Sequence, residues 1–354
     1  MRKHYLDNIR WTTVLLVVLY HTIYLFSNSG IPGIIGSIGN THFQDGLLYL
    51  VYPWFMMILF LVAGATSRLY LENHTDKEYR KSRTRKLLVP STLGILLLGW
   101  IQGYFNMYIS HAFDTIPNEI PRPILFLIQS VSGIGVLWFS QLLWVCSILL
   151  ILVRKMEKDL LYNKCENVKL PVLLLFFLPA WLCSKVLNTP IITVYRFGIY
   201  FFYFFLGYFV FSQDKNVEKI EKLSLPLGIF ASVLAVLQLI HYFGTNYAEE
   251  PVVNSFQSCF YGYFAVLAIL GGVKKHFDRE TPFTRWCSSH SWGVYTFHYL
   301  PLSIVAILLT EKLNTPVFLV YFLCFLASLL GSILLFEIIS RIPILRWITL
   351  GIKK

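Results

Sequence analysis

Long apolar segments recur along the whole chain and leave little polar sequence between them. A helix of about 20 residues crosses a hydrocarbon layer of about 30 Å. Segments of this kind lie at 11–28, 47–67, 87–109, 133–153, 170–187, 194–211, 225–243, 255–272, 292–310 and 316–337. A soluble domain of this size would show shorter, amphipathic segments. We therefore predict an all-α polytopic membrane protein with about ten transmembrane helices, forming a single domain over residues 1–354 with no fused soluble domain.

The basic residues predict the orientation of these helices. With the spans above, 26 of the 30 lysines and arginines lie in the two tails and in alternate loops on one side of the membrane. Loops rich in Lys and Arg remain in the cytoplasm, so both termini are predicted to be cytoplasmic. This asymmetry accounts for the net charge of +11, and we expect no nucleic-acid partner.

A stripe of ionisable residues runs along the first apolar segment. His21 follows Arg10 by eleven residues, which brings it within about 20° of the same helix face and about 16 Å deeper in the membrane. Asp7 falls on the same side. A charged residue at full depth costs about 2.5–3.5 kcal/mol, so such residues are tolerated mainly where they face a polar cavity. The stripe indicates chemistry or transport inside the membrane.

The imidazole of His21 suits a proton acceptor, since its unperturbed pKa is about 6.5. A neutral imidazole takes a proton from an attacking hydroxyl, or is itself transiently acylated. The alternative is a histidine that only hydrogen-bonds a neighbouring helix. Arg10 is either an anchor at the headgroups or a fork for a carbonyl or phosphate oxygen, with Asp7 holding that fork in place.

The segment 80–86 carries a second constellation of basic residues. Arg80, Arg83, Arg85 and Lys86 are suited either to anionic lipid headgroups or to the diphosphate of a nucleotide-like donor such as coenzyme A. We expect this segment to lie in a polar loop over 68–86, with Pro90 in the first turn of the third span.

Two further residues are candidates on weaker grounds. His298 lies about 9–10 Å into the ninth span, with Pro301 allowing a kink one turn later; it either approaches the cavity floor or packs against a neighbour. Trp138 either lines the outer cavity or belongs to the interfacial aromatic belt. The six cysteines show no ligand spacing and predict neither a disulfide framework nor a metal site.

The same residues resemble the motifs of acyltransferase family 3, integral membrane acyltransferases that modify surface carbohydrates. The segment from Asp7-Asn8-Ile9-Arg10 to His21 resembles the family's Arg-x10-His motif. The basic stretch before Pro90 resembles its paired arginines, with Arg80-x-x-Arg83 and Arg83-x-x-Lys86 as alternative registers. The segments around Trp138 and from Ser291 to His298 resemble its later signatures. The resemblance covers nearly the whole chain.

This resemblance implies an acyl-CoA donor, acetyl-CoA above all, in the cytoplasm and a glycan or lipid-linked sugar acceptor on the far side. It implies that His21 is the catalytic residue, that Arg10 is its partner on the donor side, and that the basic segment receives the phosphates of the coenzyme. Together with the candidates above, we predict His21, Arg10, Asp7 and His298 for catalysis, Arg80, Arg83, Arg85 and Lys86 for the donor, and Trp138 for substrate binding. We expect an O-acyltransferase without a metal, in the cytoplasmic membrane of a bacterium and in contact with its lipids. A separate extracytoplasmic partner is a further possibility, because no fused esterase-like domain is expected.

Two outer connections are candidates to meet the acceptor. Residues 29–46 contain Gly30, Gly33, Gly36 and Gly39, which is typical either of a segment lining a cavity mouth or of a flexible loop. Residues 110–132 contain three prolines and are the better candidate for an acceptor surface. The alternative function is a proton-coupled secondary transporter that uses Asp7, Arg10 and His21 as a relay, although no matching halves are visible.

Overall fold

The computed structural model describes residues 3–40, 42–117, 119–189, 194–313 and 315–353, in which it has helices and no β-strand. The helices are α1 (His4–Tyr24), α2 (Phe43–Leu71), α3 (Asp76–Ile109), α4 (Arg122–Ser132), α5 (Gly135–Glu157), α6 (Leu160–Lys164), α7 (Leu170–Cys183), α8 (Phe197–Phe211), α9 (Asp214–Lys222), α10 (Ser224–Tyr242), α11 (Glu250–Val253), α12 (Phe256–Phe277), α13 (Pro282–Phe297), α14 (Tyr299–Lys312), α15 (Val317–Arg341) and α16 (Pro343–Leu350).

Within the described part of the chain, six helices are long and apolar enough to cross a membrane: α2, α3, α5, α10, α12 and α15. The pair α13 and α14, bent by 52°, makes a seventh if it forms one broken span. The apolar helices α7 and α8 are shorter, and α1 is 21 residues long but carries the polar stripe. The polytopic all-helical class is therefore observed, whereas ten spans and cytoplasmic termini remain predictions.

The expected polar loop over 68–86 is wrong, because α3 begins at Asp76 and contains the basic segment. Thr75 and Glu78 form a reciprocal cap: the Thr75 N–H donates to Glu78 Oε2 (2.9 Å) and the Glu78 N–H donates to Thr75 Oγ1 (3.3 Å). Such a capping box starts a helix. Pro90 consequently lies inside the helix, where the turns Thr84–Leu88 and Pro90–Gly99 widen to π-helix.

In the predicted connection over 110–132, the second half forms α4. Proline at the second position of a helix costs no hydrogen bond, so Pro123 is compatible with this start. The Asn106 side chain in α3 donates to the carbonyl of Ser132 (2.7 Å), which attaches the end of α4 to α3.

The chain divides into two compact units, each built from three segments. The first contains the chain up to Thr13, Leu48–Lys81 and Leu142–Ser288. In its interior, α2 packs on α8, and Phe60 stacks on Tyr200 with ring centroids 4.6 Å apart. This unit therefore holds most of α2 and α5 and all of α7–α12.

The second unit contains Val14–Leu47, Ser82–Gln141 and the chain from Ser289 onward. Its hydrophobic core joins the end of α1 to α14 and α15 through buried Leu25, Phe26, Ile109, Leu302, Ala306, Leu309, Val320 and Cys324. Isoleucines of the glycine-containing segment after α1 pack on the same core. The core thus fixes α1 beyond Val14 against the broken helix that carries His298.

Candidate active site

Two of the predicted residues, far apart in the sequence, meet in the second unit. His298 Nε2 lies 3.0 Å from His21 Nδ1, and the ring centroids are 5.1 Å apart. His21 lies in the last turn of α1, and His298 occupies the single position between α13 and α14. The structure therefore joins the two histidines in a direct hydrogen bond that the spacing within either segment does not reveal.

The surroundings of His298 determine which nitrogen of each neutral ring carries the hydrogen. His298 Nδ1 lies 2.8 Å from the carbonyl oxygen of Tyr295 and 3.1 Å from that of Val294, and carbonyls only accept. Nδ1 of His298 must therefore donate, so its Nε2 accepts from His21 Nδ1–H. His21 Nε2 is then left with a lone pair, which is the state required of a proton acceptor.

Burial separates the roles of the two rings. The His298 side chain is completely buried, whereas His21 is partly exposed. Tyr20, Tyr24 and Tyr299 surround His21 with ring centroids at 5.2, 6.0 and 5.2 Å. His21 is thus the more accessible ring of the pair, whereas the His298 ring is enclosed by protein groups.

The break between α13 and α14 places His298 at this position. Pro301 lacks an N–H, and its ring conflicts with the carbonyl of Phe297, so the helix bends there. The buried carbonyl of His298, next to the bend, accepts a hydrogen bond from Ser328 Oγ of α15 (2.8 Å) in addition to a long one from the Leu302 N–H (3.3 Å). The bend is therefore supported by a specific contact with α15.

Asp7 and Arg10 lie on the first turns of the same helix, in the part assigned to the first unit. Arg10 Nη1 donates to Asp7 Oδ1 at 3.0 Å, which is the pairing expected from their spacing. The start of α1 is held by the Tyr5 N–H, which donates to Asp278 at 3.0 Å, and by Asn8, whose amide donates to the carbonyl of Arg279 at 3.0 Å. These contacts keep the Arg10 guanidinium at a fixed end of the stripe.

The basic segment is divided between the two units. Arg80 is exposed and belongs to the first unit; Arg83, Arg85 and the exposed Lys86 belong to the second. Arg85 Nε donates to the carbonyl of Gly351 (3.0 Å), just after α16. Arg85 is therefore attached to the residue that follows α16, and it lies with Lys86 on the π-helical turn Thr84–Leu88, a kind of turn often found at functional sites.

A comparison with protein families decides what kind of protein carries this arrangement. A family model described as an acyltransferase domain, that of acyltransferase family 3, matches residues 3–337. The chain belongs to acyltransferase family 3. No curated protein and no solved structure matches it. Its family and its apolar helices make it a multi-pass membrane acyltransferase.

In this acyltransferase the segment around Trp138 lies against the helix of His298. The Tyr295 hydroxyl donates to the carbonyl of Val136 (2.6 Å), and its ring packs on Phe139 at 5.6 Å. Trp138 itself is partly exposed and packs edge-on against Phe139. Trp138 therefore belongs to the same unit as the histidine pair and lies beside Phe139, which contacts the helix that precedes His298.

Sequence reasoning missed a polar group near this pair. In α3, Gln102 donates to Asn106 Oδ1 (2.7 Å) and to Ser303 Oγ (3.2 Å) of α14, and Ser303 in turn donates to the carbonyl of Tyr299 (2.9 Å). Two amides one helical turn apart in an apolar segment could have indicated it. Among the described residues of the acyltransferase, no group of three or more His, Cys, Asp or Glu side chains is arranged to hold a metal ion.

Proposed function

We propose that this chain is a membrane O-acyltransferase that moves an acyl group, acetyl above all, from cytoplasmic acyl-CoA to a hydroxyl of an extracytoplasmic glycan or lipid-linked sugar. The family supplies the acyl transfer. The observation that supports the mechanism is the hydrogen bond between His21 and the fully buried His298, which leaves a proton-accepting nitrogen on the accessible ring.

In the reaction that this geometry favours, His21 Nε2 removes the proton of the acceptor hydroxyl. The oxygen attacks the thioester carbonyl and forms the new C–O bond. The C–S bond then breaks, and the coenzyme A thiolate leaves with the proton that the imidazolium returns. Such general base catalysis contributes about 10²–10⁴-fold. Since a thioester is exchanged for an ester, no metal or nucleotide hydrolysis is required.

His298 acts in this scheme as a positioning residue. It fixes the tautomer and orientation of His21, and its Nε2 lone pair faces the hydrogen of an imidazolium when His21 is charged. A buried cation without such a partner would be costly. A variant of the scheme, in which His21 Nε2 attacks the thioester and carries the acyl group, uses the same contacts.

The donor would be held at the cytoplasmic side by charge and geometry. Arg10, kept in place by Asp7, presents its fork to a carbonyl or phosphate oxygen. Arg80, Arg83, Arg85 and Lys86 would bind the phosphates of the coenzyme. Trp138 is proposed to contact the substrate. The location of this reaction would be the cytoplasmic membrane of a bacterium, where both substrates meet from opposite sides.

The proposal is tested by transfer of radiolabelled acetyl from acetyl-CoA to the lipid and glycan fractions of membranes that contain the protein. His21→Ala is expected to abolish transfer while the protein still folds and binds acetyl-CoA saturably. His276→Ala, which removes an exposed histidine, is the matched control and should leave transfer intact.

Two outcomes would overturn the proposal. Absence of both transfer and saturable acetyl-CoA binding by the unchanged protein would remove the donor and favour the transporter interpretation. Full transfer by His21→Ala would keep an acyltransferase but remove His21 from its chemistry.

A further inference from the structure

A short 3₁₀ turn opens α2 in the second unit and holds three side chains of different character. It covers Phe43–Asp45, and the Asp45 N–H donates to the carbonyl of His42 at 3.0 Å. In a 3₁₀ turn, residues three apart eclipse each other. His42 and Asp45 therefore lie on one side of the turn, and Phe43 follows His42 at about 120° round the turn.

Asp45 is a carboxylate with an unused acceptor. The residue is only 4% exposed, and its Oδ2 accepts the Asn28 N–H at 2.9 Å. Its Oδ1 is buried and has no hydrogen-bond partner among the described residues. A buried polar atom without a partner costs free energy, and a charged group costs more than a neutral one. An atom of this kind requires an explanation, and a ligand that donates a hydrogen bond supplies one.

The imidazole of His42 likewise carries a buried nitrogen, Nδ1, without a hydrogen-bond partner within the described residues. Other polar side chains nearby are paired: Ser27 and Ser29 share a hydrogen bond of 2.9 Å, and Gln44 donates to the Tyr321 hydroxyl at 3.1 Å. The unpaired buried polar atoms of this turn therefore belong to His42 and Asp45, which lie on the same side of it.

Phe43 adds an apolar surface beside these polar atoms. It is 82% exposed, the highest value among the large hydrophobic side chains of the second unit. A sugar ring offers both kinds of contact, since its C–H face packs on an aromatic ring and its hydroxyls donate to and accept from polar side chains. A site of this composition, apolar surface with a few convergent polar groups, is typical of small-molecule recognition.

The turn is also connected to the end of the helix that carries His21. Asn28, which bonds Asp45, follows His21 by seven residues and the end of α1 at Tyr24 by four. Tyr321, which bonds Gln44, packs on Phe26 with ring centroids 5.4 Å apart, in the core beside the end of α1. The turn is therefore attached to the same core of the second unit as the end of α1, which carries His21.

We propose that His42, Phe43 and Asp45 form a subsite for a sugar ring of the acceptor. Asp45 Oδ1 accepts a hydrogen bond from a ring hydroxyl, His42 Nδ1 pairs with a second hydroxyl, and Phe43 packs on the ring face. This subsite rests on the proposed function, and it places acceptor recognition in residues 29–46 rather than in residues 110–132.

The test uses the full-length protein in membranes, labelled acetyl-CoA, and the methyl glycosides of glucose, galactose and N-acetylglucosamine as soluble acceptors and competitors. Phe43→Ala and Asp45→Asn are each expected to raise the acceptor KM at least tenfold, or to weaken competition equally, and to leave the Kd for acetyl-CoA unchanged. Phe318→Ala, which removes another exposed phenylalanine (77%) of the same unit, should change neither.

The outcomes separate this subsite from the function it rests on. If the unchanged protein transfers no acetyl group, the proposed function fails. If it transfers acetyl but Phe43→Ala and Asp45→Asn keep the acceptor KM, the subsite alone is overturned. Phe43 is a surface position, so its substitution tests the subsite even where Asp45→Asn reduces folding.

Discussion

Two side-chain pairs that involve α1 differ in sequence separation, in burial and in the packing that they require. Asp7 and Arg10 are three residues apart in the sequence, and their side chains are 18% and 40% exposed. His21 and His298 are 277 residues apart, and His298 is fully buried. The first pair needs only the helix that carries it. The second needs the bend at His298, its support by α15, and the core that joins α1 to α14.

The two pairs therefore differ in the free energy that their burial costs and in the chemistry that they can perform. An exposed ion pair one helical turn apart contributes a few tenths of a kcal/mol and loses little when broken. The histidine pair removes the whole His298 ring and part of the His21 ring from water, which is unfavourable unless each buried ring nitrogen has a partner. We therefore expect substitutions at the buried pair to affect catalysis strongly and those at the exposed pair to act weakly on donor binding.

The largest effect is expected at His298. His298→Asn retains a side-chain group that can bond the carbonyls of Val294 and Tyr295 but is too short to reach His21, whereas the Oε1 of His298→Gln can accept from His21 Nδ1. Acetyl transfer should fall about 10²-fold or more in His298→Asn, since orientation of the base is lost, and clearly less in His298→Gln. Initial rates at saturating acetyl-CoA measure both.

The ranking of these two variants is the informative result. Equal losses, with the protein still folded by thermal unfolding, would show that His298 does not act through its hydrogen bond to His21. A KM increase for the donor without a fall in kcat would likewise place its role in binding.

The sequence predicts the helical class and each member of the two pairs, because apolar length and ionisable residues inside apolar segments are local properties. It also predicts the Asp7–Arg10 contact, which follows from the spacing of these residues on one helix. It does not predict the contact between His21 and His298, because that contact depends on a 52° bend and on packing between distant segments. The loop prediction for residues 68–86 failed for a simpler reason: the Thr75–Glu78 capping box was visible in the sequence but was not used.

A second, smaller effect is expected at the support of the bend. A Cβ on Gly331 of α15 would lie 2.7 Å from the Pro301 ring. Gly331→Ala should therefore destabilise the protein by about 1–3 kcal/mol and reduce transfer by displacing His298. Gly272→Ala is the control, since a Cβ there meets no atom within 4 Å and alanine favours the helix. Thermal unfolding in one detergent compares them; equal midpoints would show that α15 does not constrain the bend.

A third effect concerns the donor side. Gly351 has a φ of +63°, and a Cβ there would lie 2.2 Å from the carbonyl oxygen of Arg85. Gly351→Ala should displace the basic segment and raise the Kd for acetyl-CoA about tenfold, equivalent to about 1.4 kcal/mol. Gly244→Ala imposes the same backbone strain (φ +87°) without a close neighbour and should leave the Kd unchanged. An unchanged Kd in Gly351→Ala would remove the Arg85 region from the donor site.

The smallest effect is expected at the exposed pair. Asp7→Asn removes the ion pair but leaves Arg10 and its charge, so stability should change by less than about 0.5 kcal/mol and the donor KM should rise about twofold. Because salt screens exposed charges, this difference should disappear at about 1 M salt. Arg10→Lys should have a larger effect on KM, since it removes the fork itself. A loss of kcat in Asp7→Asn as large as that in His298→Asn would instead place Asp7 in the chemistry and erase the distinction between the two pairs.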